Sequence, residues 1–269
     1  TLGNDSEVNG NGDTYVAYVF AGGGEGYNSV KFDGTGDYLT TNSSSDYTLG
    51  TGDFTLEYWY NPYENAVDFL VDATGGGEIW ATYCNASGLH KYRVGGVDRI
   101  ISSSSLLPNQ WHHIAIVRAS GTTKMYVNGV KEGSDYSDST NYSFTQFNIG
   151  RRTDGSYEYN GKISNLRLVK GTAVYTSSFT EPTAPLTNIT NTKLLCCNGG
   201  LTTSSTVGTI TASGDPNTTE TSPFTSPDAV FGDAGDQGII KCGSYVGNGS
   251  STGPEINLGW EPQWLLLKN

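Results

Sequence analysis

Hydrophobic and polar residues alternate with period two along much of this chain. Residues 54–60 show the alternation most clearly, and it places four large side chains on one face of a strand: Phe54, Leu56, Tyr58 and Tyr60. Residues 111–118 are apolar on both faces, which is typical of a strand in the middle of a sheet. Asn128-Gly129 supplies the two positive-φ positions of a type I′ turn between residues 124–127 and Val130. These segments predict three antiparallel strands.

Other short segments have the same character and are separated by clusters of Gly, Asn, Asp and Ser. The further predicted strands are residues 29–32, 69–72, 79–83, 90–94, 147–150 and 162–169. No window of 11 to 18 residues carries a helical apolar stripe, although residues 173–175 suit a short turn. The pattern predicts an all-β chain, with two antiparallel sheets forming a sandwich over residues 27–198. Residues 199–228, rich in Thr, Ser and Gly, are expected to be a linker or a long edge excursion.

The composition and charge of the chain argue against some classes of partner. The 269 residues include 36 Gly, 17 Tyr and one Met, which suits many short strands joined by turns. A net charge of −12 repels phosphate backbones and anionic lipid, so no nucleic acid partner is expected. No apolar run is long enough to span a bilayer, so no membrane insertion is expected. Of the four cysteines, adjacent Cys196 and Cys197 are expected to point to opposite faces, one buried and one exposed.

Five segments, taken in order, form a specific combination although no single segment is specific: residues 30–39, 52–59, 111–115, 126–129 and 161–167. The combination resembles the laminin-G-like domains of the concanavalin A-like lectin and glucanase superfamily. The resemblance implies a jelly-roll sandwich and a function in binding or scaffolding.

Residues 171–197 continue in a way that is similar to the form of this domain in structural proteins of tailed bacteriophages. Residues 1–26 look like the end of an upstream β module, and residues 229–269 look like the start of a downstream one. The resemblance implies a virion surface protein, a tail fibre or surface fibre, whose partners are host-surface polysaccharide or other virion proteins. It also implies a homo-oligomer or a part of a larger fibre.

Two alternatives remain open. One is a secreted cell-surface adhesion protein with the same domain, binding glycan or protein. The other is a glycoside hydrolase, which needs two carboxylates about 5 Å or about 6.5 to 9.5 Å apart. The nearest approach to such a pair is Asp68 and Asp72, which on a regular strand would share a face about 13 Å apart. We therefore expect no enzymatic activity.

Two candidate sites follow. Laminin-G-like domains most often carry calcium, and the turn from Asp33 to Asp37 offers two carboxylates and several carbonyls; the alternative is that Asp and Gly only shape the turn. For carbohydrate, an aromatic platform near the strand ends is expected from Tyr63, Trp80 and Tyr83, because sugar faces stack on exposed rings. The alternative is that these rings fill the sandwich.

The two ends of the chain carry apolar segments that are too short to be stable alone, around Tyr15 to Val19 and Trp260 to Leu267. We expect the chain to be a piece of a longer polypeptide. These segments should pair with each other, with adjoining modules of the same chain, or with neighbouring subunits, and the resemblance favours adjoining modules.

Overall fold

The computed structural model describes residues 14–20, 26–74, 80–201, 208–224, 240–246, 250–251 and 264–268. The strands run in the order β1 (Thr14–Phe20), β2 (Ser29–Asp33), β3 (Tyr38–Thr41), β4 (Phe54–Pro62), β5 (Asp68–Thr74), β6 (Trp80–Cys84), β7 (Leu89–Val94), β8 (Val97–Ser105), β9 (His112–Ala119), β10 (Thr122–Val127), β11 (Val130–Ser137), β12 (Gln146–Ile149), β13 (Asn160–Lys170), β14 (Thr192–Cys196), β15 (Ile210–Ser213), β16 (Asn217–Thr219), β17 (Ile240–Val246) and β18 (Trp264–Lys268). A single turn of 3-10 helix lies at Ser45–Tyr47 within the described part of the chain. No helix there is long and apolar enough to cross a membrane.

The chain divides into two compact units, one of residues 25–224 and one of residues 1–24 and 225–269. The larger unit is a sandwich of an eight-stranded and a seven-stranded antiparallel sheet. The eight-stranded sheet has the order β11-β10-β9-β4-β13-β2-β16, with β14 also paired to β13; the seven-stranded sheet has the order β15-β3-β12-β5-β6-β7-β8. The all-β, two-sheet jelly-roll prediction is confirmed.

The core between the sheets follows from the alternation in β4. Its four alternate residues Phe54, Leu56, Tyr58 and Tyr60 all lie in the main buried cluster. The predicted hairpin is also present, because Asn128 and Gly129 have φ of 48° and 74° between β10 and β11. Positive φ at both central positions matches the right-handed twist of the strands.

Two strands from the segment expected to be a linker or a long edge excursion, β15 and β16, extend the two sheets. β15 pairs with β3 at the edge of the seven-stranded sheet, and β16 pairs with β2 in the eight-stranded sheet. The segment between β15 and β16 therefore crosses from one sheet to the other, as does the turn between β2 and β3. No periodic apolar pattern marks β15 and β16 in the sequence, because their edge positions leave much of each strand exposed.

The prediction for the cysteine pair is wrong. Cys196 and Cys197 are both buried, at 0% and 1% exposure, and their sulfur atoms lie 3.8 Å apart. Cys197 directly follows β14 and has a φ of 61°, and this left-handed conformation breaks the alternation that would have turned its side chain outward.

The smaller unit contains a three-stranded antiparallel sheet of order β17-β1-β18. Tyr18 lies opposite Cys242 on one side and Leu266 on the other. Strands from the two ends of the chain therefore pair with each other, whereas the resemblance favoured pairing with adjoining modules. Trp260 lies outside the described residues.

Candidate functional site

The three residues expected to form an aromatic platform lie in different places. Trp80 is 0% exposed and packs edge-on against Phe54 in the core. Tyr83 lies on the outer face of the seven-stranded sheet, since positions three apart on a strand point to opposite faces. Tyr63 follows β4 at the end of the other sheet, with the Lys162 ammonium 5.7 Å from its ring centre. The structure therefore excludes Trp80 from any surface platform, and the other two do not share a face.

Tyr83 instead belongs to a different group of rings, which we call the aromatic stack: Tyr157, Phe69 and Tyr83. The rings of Phe69 and Tyr83 are stacked 4.8 Å apart, and Tyr157 stacks on Phe69 at 5.7 Å. Phe69 and Tyr83 are nearly covered, whereas Tyr157 is 47% exposed. No other aromatic residue among those whose burial the structure describes is this exposed. The stack therefore exposes one ring to solvent, and this ring packs on a buried pair of rings.

The loop between β12 and β13 holds Tyr157 in place. Tyr157 has a φ of 55°, which is unusual for a bulky residue and strains the backbone. The Phe69 backbone N–H donates to the Tyr157 carbonyl at 3.1 Å, and the Arg152 N–H donates to the Ser156 carbonyl at 3.0 Å. The Ser156 N–H and hydroxyl both donate to Asp154. Sequence alternation could not reveal Tyr157, because it lies in this irregular loop.

Charged side chains surround the aromatic stack. The Arg152 guanidinium lies 5.6 Å from the Phe69 ring centre and 5.9 Å from that of Tyr157. The Tyr83 hydroxyl donates to both oxygens of Asp98, at 2.8 and 2.9 Å. Asp98 also pairs with Lys91 and Arg93. These pairs fix the Tyr83 ring on which Phe69 rests.

The outer face of the eight-stranded sheet is covered. Residues 171–187, which we call the strap, run across it, and Ala173, Tyr175 and Phe179 pack on residues of β9 and β10. The Tyr175 and Phe179 rings are stacked 3.6 Å apart. The Phe179 N–H donates to the Gly129 carbonyl at 2.8 Å. Gly129 is required here, because a Cβ would meet the Phe179 carbonyl oxygen.

A buried ionic cluster lies beneath the strap. Glu57 is 0% exposed, and its Oε1 accepts hydrogen bonds from Arg167 Nε at 3.0 Å and Nη2 at 2.6 Å. Its Oε2 accepts from the Tyr175 hydroxyl at 2.9 Å and lies 3.3 Å from His113 Nε2. Burial alone would raise the pKa of Glu57, but the hydrogen bond from His113 and the charge of Arg167 outweigh it and lower the pKa. Arg167 Nη1 also donates to the Thr187 carbonyl, so the cluster ties the strap to the sheet.

The residues expected to bind calcium, Asp33 and Asp37, lie together, and Asp215 joins them. One oxygen from each of the three carboxylates lies within 4.8 Å of the others. Asp37 Oδ1 accepts the Asp215 N–H at 2.7 Å, and Oδ2 accepts the Asp33 N–H at 3.1 Å. Gly214 permits this approach, because a Cβ there would lie 2.5 Å from Asp37 Oδ1. Burial, followed by repulsion from Asp33 and Asp215, raises the pKa of Asp37 despite these hydrogen bonds.

Three hard oxygen donors fit the chemistry of calcium, which takes about six to eight oxygen ligands at about 2.3–2.6 Å. Asp33 Oδ1 also accepts the Thr35 N–H at 2.7 Å, which is the hydrogen bond of an Asx turn. Asp33 therefore shapes the turn, and the calcium site stays a prediction. Sequence reasoning missed Asp215, because it lies far along the chain, in the segment expected to be a linker or a long edge excursion.

Asp68 and Asp72, the two carboxylates that come nearest to the spacing of a glycosidase pair, lie on opposite faces of β5. The expectation that they share a face is wrong. Asp68 is opposite Cys84, which faces the core, and Asp72 is opposite Ala81, which faces outward. A β-bulge between Phe69 and Val71 causes the change of face. Burial first, and the Glu64 charge second, raise the pKa of Asp68 to about 7.

A cysteine and a histidine lie close together inside the core, but they are not ionised as a catalytic nucleophile and its base would be. Cys84 Sγ lies 3.5 Å from His90 Nδ1, and the Tyr60 hydroxyl lies 3.1 Å from the same sulfur. Burial raises the pKa of Cys84 to about 12 and lowers that of His90 to about 3. The thiol and the imidazole are both neutral at pH 7, whereas nucleophilic cysteines need a thiolate.

Several solved structures are similar to this chain, and the first of those below agrees with the fold. Among solved structures, a Bacteroides ovatus protein described as carbohydrate-binding aligns with a TM-score of 0.53 at 18% identity, over 72% of this chain and 60% of that one. The heptameric SAP-like pentraxin of Limulus polyphemus aligns with a TM-score of 0.40 at 16% identity, over 64% and 79% of the two chains. Mouse laminin alpha1 domains LG4-5 align with a TM-score of 0.43 at 14% identity, over 56% and 44%.

No curated protein sequence matches the chain significantly. The family model described as the concanavalin A-like lectin/glucanases superfamily matches residues 33–174, which is more than half of the chain. The protein therefore belongs to the laminin-G-like family of that superfamily.

Proposed function

We propose that this chain is a non-enzymatic adhesion module that binds polysaccharide through the open outer face of its seven-stranded sheet. The observation that carries the proposal is the aromatic stack, whose outermost ring, Tyr157, is 47% exposed. Sugar rings present flat C–H faces, and an exposed aromatic ring held on a rigid support gives contact area at little entropic cost. The description of the Bacteroides relative as carbohydrate-binding is consistent with this function.

The strain at Tyr157 also supports a binding role. A bulky residue at a φ of 55° costs free energy that glycine would avoid. A tyrosine occupies this position although 47% of the residue is exposed to solvent. Packing against Phe69 and Arg152 leaves 47% of Tyr157 exposed, and this exposed part of the ring could contact a ligand.

The biological setting we propose is a virion fibre or surface fibre of a tailed bacteriophage, where the module meets host polysaccharide or other virion proteins as part of a larger assembly. The resemblance of residues 171–197 to phage forms of the domain supports this setting. Mass spectrometry of purified virions should then detect the chain, and labelled antibody should mark a repeated fibre by electron microscopy. Detection of the chain on a cell surface instead would favour the secreted adhesion protein.

Calcium is proposed as the ion that Asp33, Asp37 and Asp215 hold. It would neutralise three close carboxylates and fix the β2–β3 turn to the segment after β15. Its role would be structural.

Binding is tested with the full chain and its Tyr157→Gly variant against a panel of plant, algal and bacterial polysaccharides. We expect the variant to bind at least about tenfold more weakly, as for loss of a central aromatic contact. Its melting temperature should stay close to that of the wild type, because relief of the left-handed strain offsets lost packing. Tyr157→Phe should retain binding, and Val130→Thr, an exposed change on the other sheet, should leave it unaltered. Wild-type binding that survives in Tyr157→Gly would place the site elsewhere.

A further inference from the structure

β5, which supports the Tyr157 ring, contains a bulge between Phe69 and Val71. On a regular strand, Phe69 and Asp72 would point to opposite faces, because they are three positions apart. The bulge places Leu70 and Val71 together in the core, so Phe69 and Asp72 both point outward. One short segment of strand therefore presents a ring and a carboxylate to the same surface.

Both outward side chains contact residues 150–159, the connection between β12 and β13, which we call the Tyr157 loop. The Phe69 ring stacks on the ring of Tyr157. Asp72 Oδ2 accepts the Thr153 backbone N–H at 2.7 Å. This hydrogen bond joins an interior position of the loop to the sheet, four residues before Tyr157.

The Asp72 carboxylate is buried at a cost in free energy. Asp72 is 3% exposed, and burial raises its pKa, although the hydrogen bonds from Thr153 and the charge of Arg152 oppose the rise. A carboxylate taken out of water destabilises a fold unless its partners compensate fully. Tyr157, in the same loop, is also unfavourable because of its φ of 55°. Unfavourable local features of this kind cluster at functional sites.

We infer that Asp72 is a positioning residue of the polysaccharide site, which holds the Tyr157 loop in the conformation that stacks Tyr157 on Phe69. This inference rests on the proposed function and adds a residue that acts through the loop. A ligand of the stacked ring binds only molecules in which the loop is closed, so the apparent affinity falls with the closed fraction. The hydrogen bond from Thr153 has a charged acceptor, which makes it stronger than one between neutral groups. Its loss should therefore lower the closed fraction.

The binding test removes the acceptor and then restores it. Asp72→Ala should bind the best-binding member of the polysaccharide panel at least about tenfold more weakly than the wild type. Asp72→Asn keeps an oxygen that can accept the Thr153 N–H and should bind within about threefold of the wild type. The melting temperature of Asp72→Ala should stay close to that of the wild type, because the variant also removes a buried charge.

Asp53→Ala is the matched control. Asp53 Oδ1 accepts the Ser120 backbone N–H at 2.8 Å, so this variant removes the same kind of hydrogen bond from a different turn. We expect it to bind polysaccharide as the wild type does. A loss of binding in Asp53→Ala equal to that in Asp72→Ala would show a general effect of removing such a bond and would overturn the inference.

A second measurement uses no ligand. Trypsin cleaves after arginine, and the Arg152–Thr153 peptide bond contains the N–H that Asp72 holds. Cleavage of a folded protein requires local opening, so its rate reports the open population. Mass spectrometry should show this bond cut at least about tenfold faster in Asp72→Ala than in the wild type, in Asp72→Asn and in Asp53→Ala.

The outcomes separate this inference from the proposed function. Unchanged polysaccharide binding in Asp72→Ala would overturn the positioning role and leave the proposed function intact. Equal losses in Asp72→Asn and Asp72→Ala would also overturn it, because the restored acceptor would then have no effect. If the wild type binds no polysaccharide in the panel, the proposed function fails, and the cleavage rates alone decide whether Asp72 holds the loop.

Discussion

The two outer faces of this sandwich differ although both sheets are antiparallel and similar in size. On the eight-stranded sheet, the strap covers the strands, and even the polar residues beneath it are buried, as Glu57 and His113 are at 0% exposure. On the seven-stranded sheet, the aromatic stack ends in the ring of Tyr157, which is 47% exposed. The comparison shows that the connecting segments, not the strands, decide which face is covered and which presents an exposed aromatic ring.

The largest expected effect on stability comes from removing the carboxylate of Glu57 beneath the strap. Glu57→Ala leaves the Arg167 guanidinium buried without its acidic partner, which should lower the free energy of unfolding by about 3–5 kcal/mol. The measurement is urea denaturation followed by tryptophan fluorescence. The double variant Glu57→Leu/Arg167→Met removes both charges and should lose less than Glu57→Ala, because no unpaired ion remains. Similar stability of Glu57→Ala and the wild type would show that the strap does not depend on the cluster.

A smaller loss of stability is expected when the pH is lowered. The folded-state pKa of Glu57 is lowered from its ordinary 4.5, so its ionised form stabilises the fold above that value. This stabilisation is lost as the pH falls through the lower folded-state pKa. Between pH 5 and pH 3, the wild type should therefore lose more stability than Glu57→Gln, with both measured by urea denaturation. Equal acid slopes for the two proteins would show that other carboxyls account for the acid sensitivity.

Much of the fold could be predicted from the sequence, because strands packed on a core repeat with period two. The alternation in residues 54–60 placed four core residues of β4 correctly, and Asn128-Gly129 identified a hairpin. Edge strands such as β15 and β16 carry no such repeat, because only part of each is buried. Local alternation also fails where the backbone leaves the regular strand, as at Cys197 and at the bulge after Phe69.

The candidate site was less predictable, because it depends on contacts between distant segments. The expected platform of rings near the strand ends includes both Trp80 and Tyr83, although their separation by three positions already implies opposite faces. Tyr157 reaches Phe69 only through the conformation of its loop, and Asp215 reaches Asp37 only because the chain crosses between the sheets there. A signal was present for Glu57, since a charged residue in the interior of an apolar strand needs a buried partner.

The smallest expected effect on stability comes from the proposed calcium ion. Its site lies at the edge of the sandwich where the chain crosses twice between the sheets. If Asp33, Asp37 and Asp215 hold calcium, the ion links the two crossings and binds only the folded state. Saturating calcium at about 100 times its dissociation constant would add about 2.7 kcal/mol. For a domain of this size, that corresponds to a rise of several degrees in melting temperature.

Chelation with EDTA should therefore lower the melting temperature of the wild type, and added calcium should restore it. Asp215→Asn should abolish most of this response, because it removes one charged ligand without altering the turn between β2 and β3. Asp135→Asn, which changes an exposed carboxylate paired with Lys131 on the other sheet, is the matched control and should respond as the wild type does. A melting temperature that is insensitive to EDTA in all three proteins would mean that the hydrogen bonds of the Asp33 turn alone hold this edge. In that case, the raised pKa of Asp37 reflects burial and repulsion without a compensating cation, and the edge should become more stable as the pH falls through that pKa.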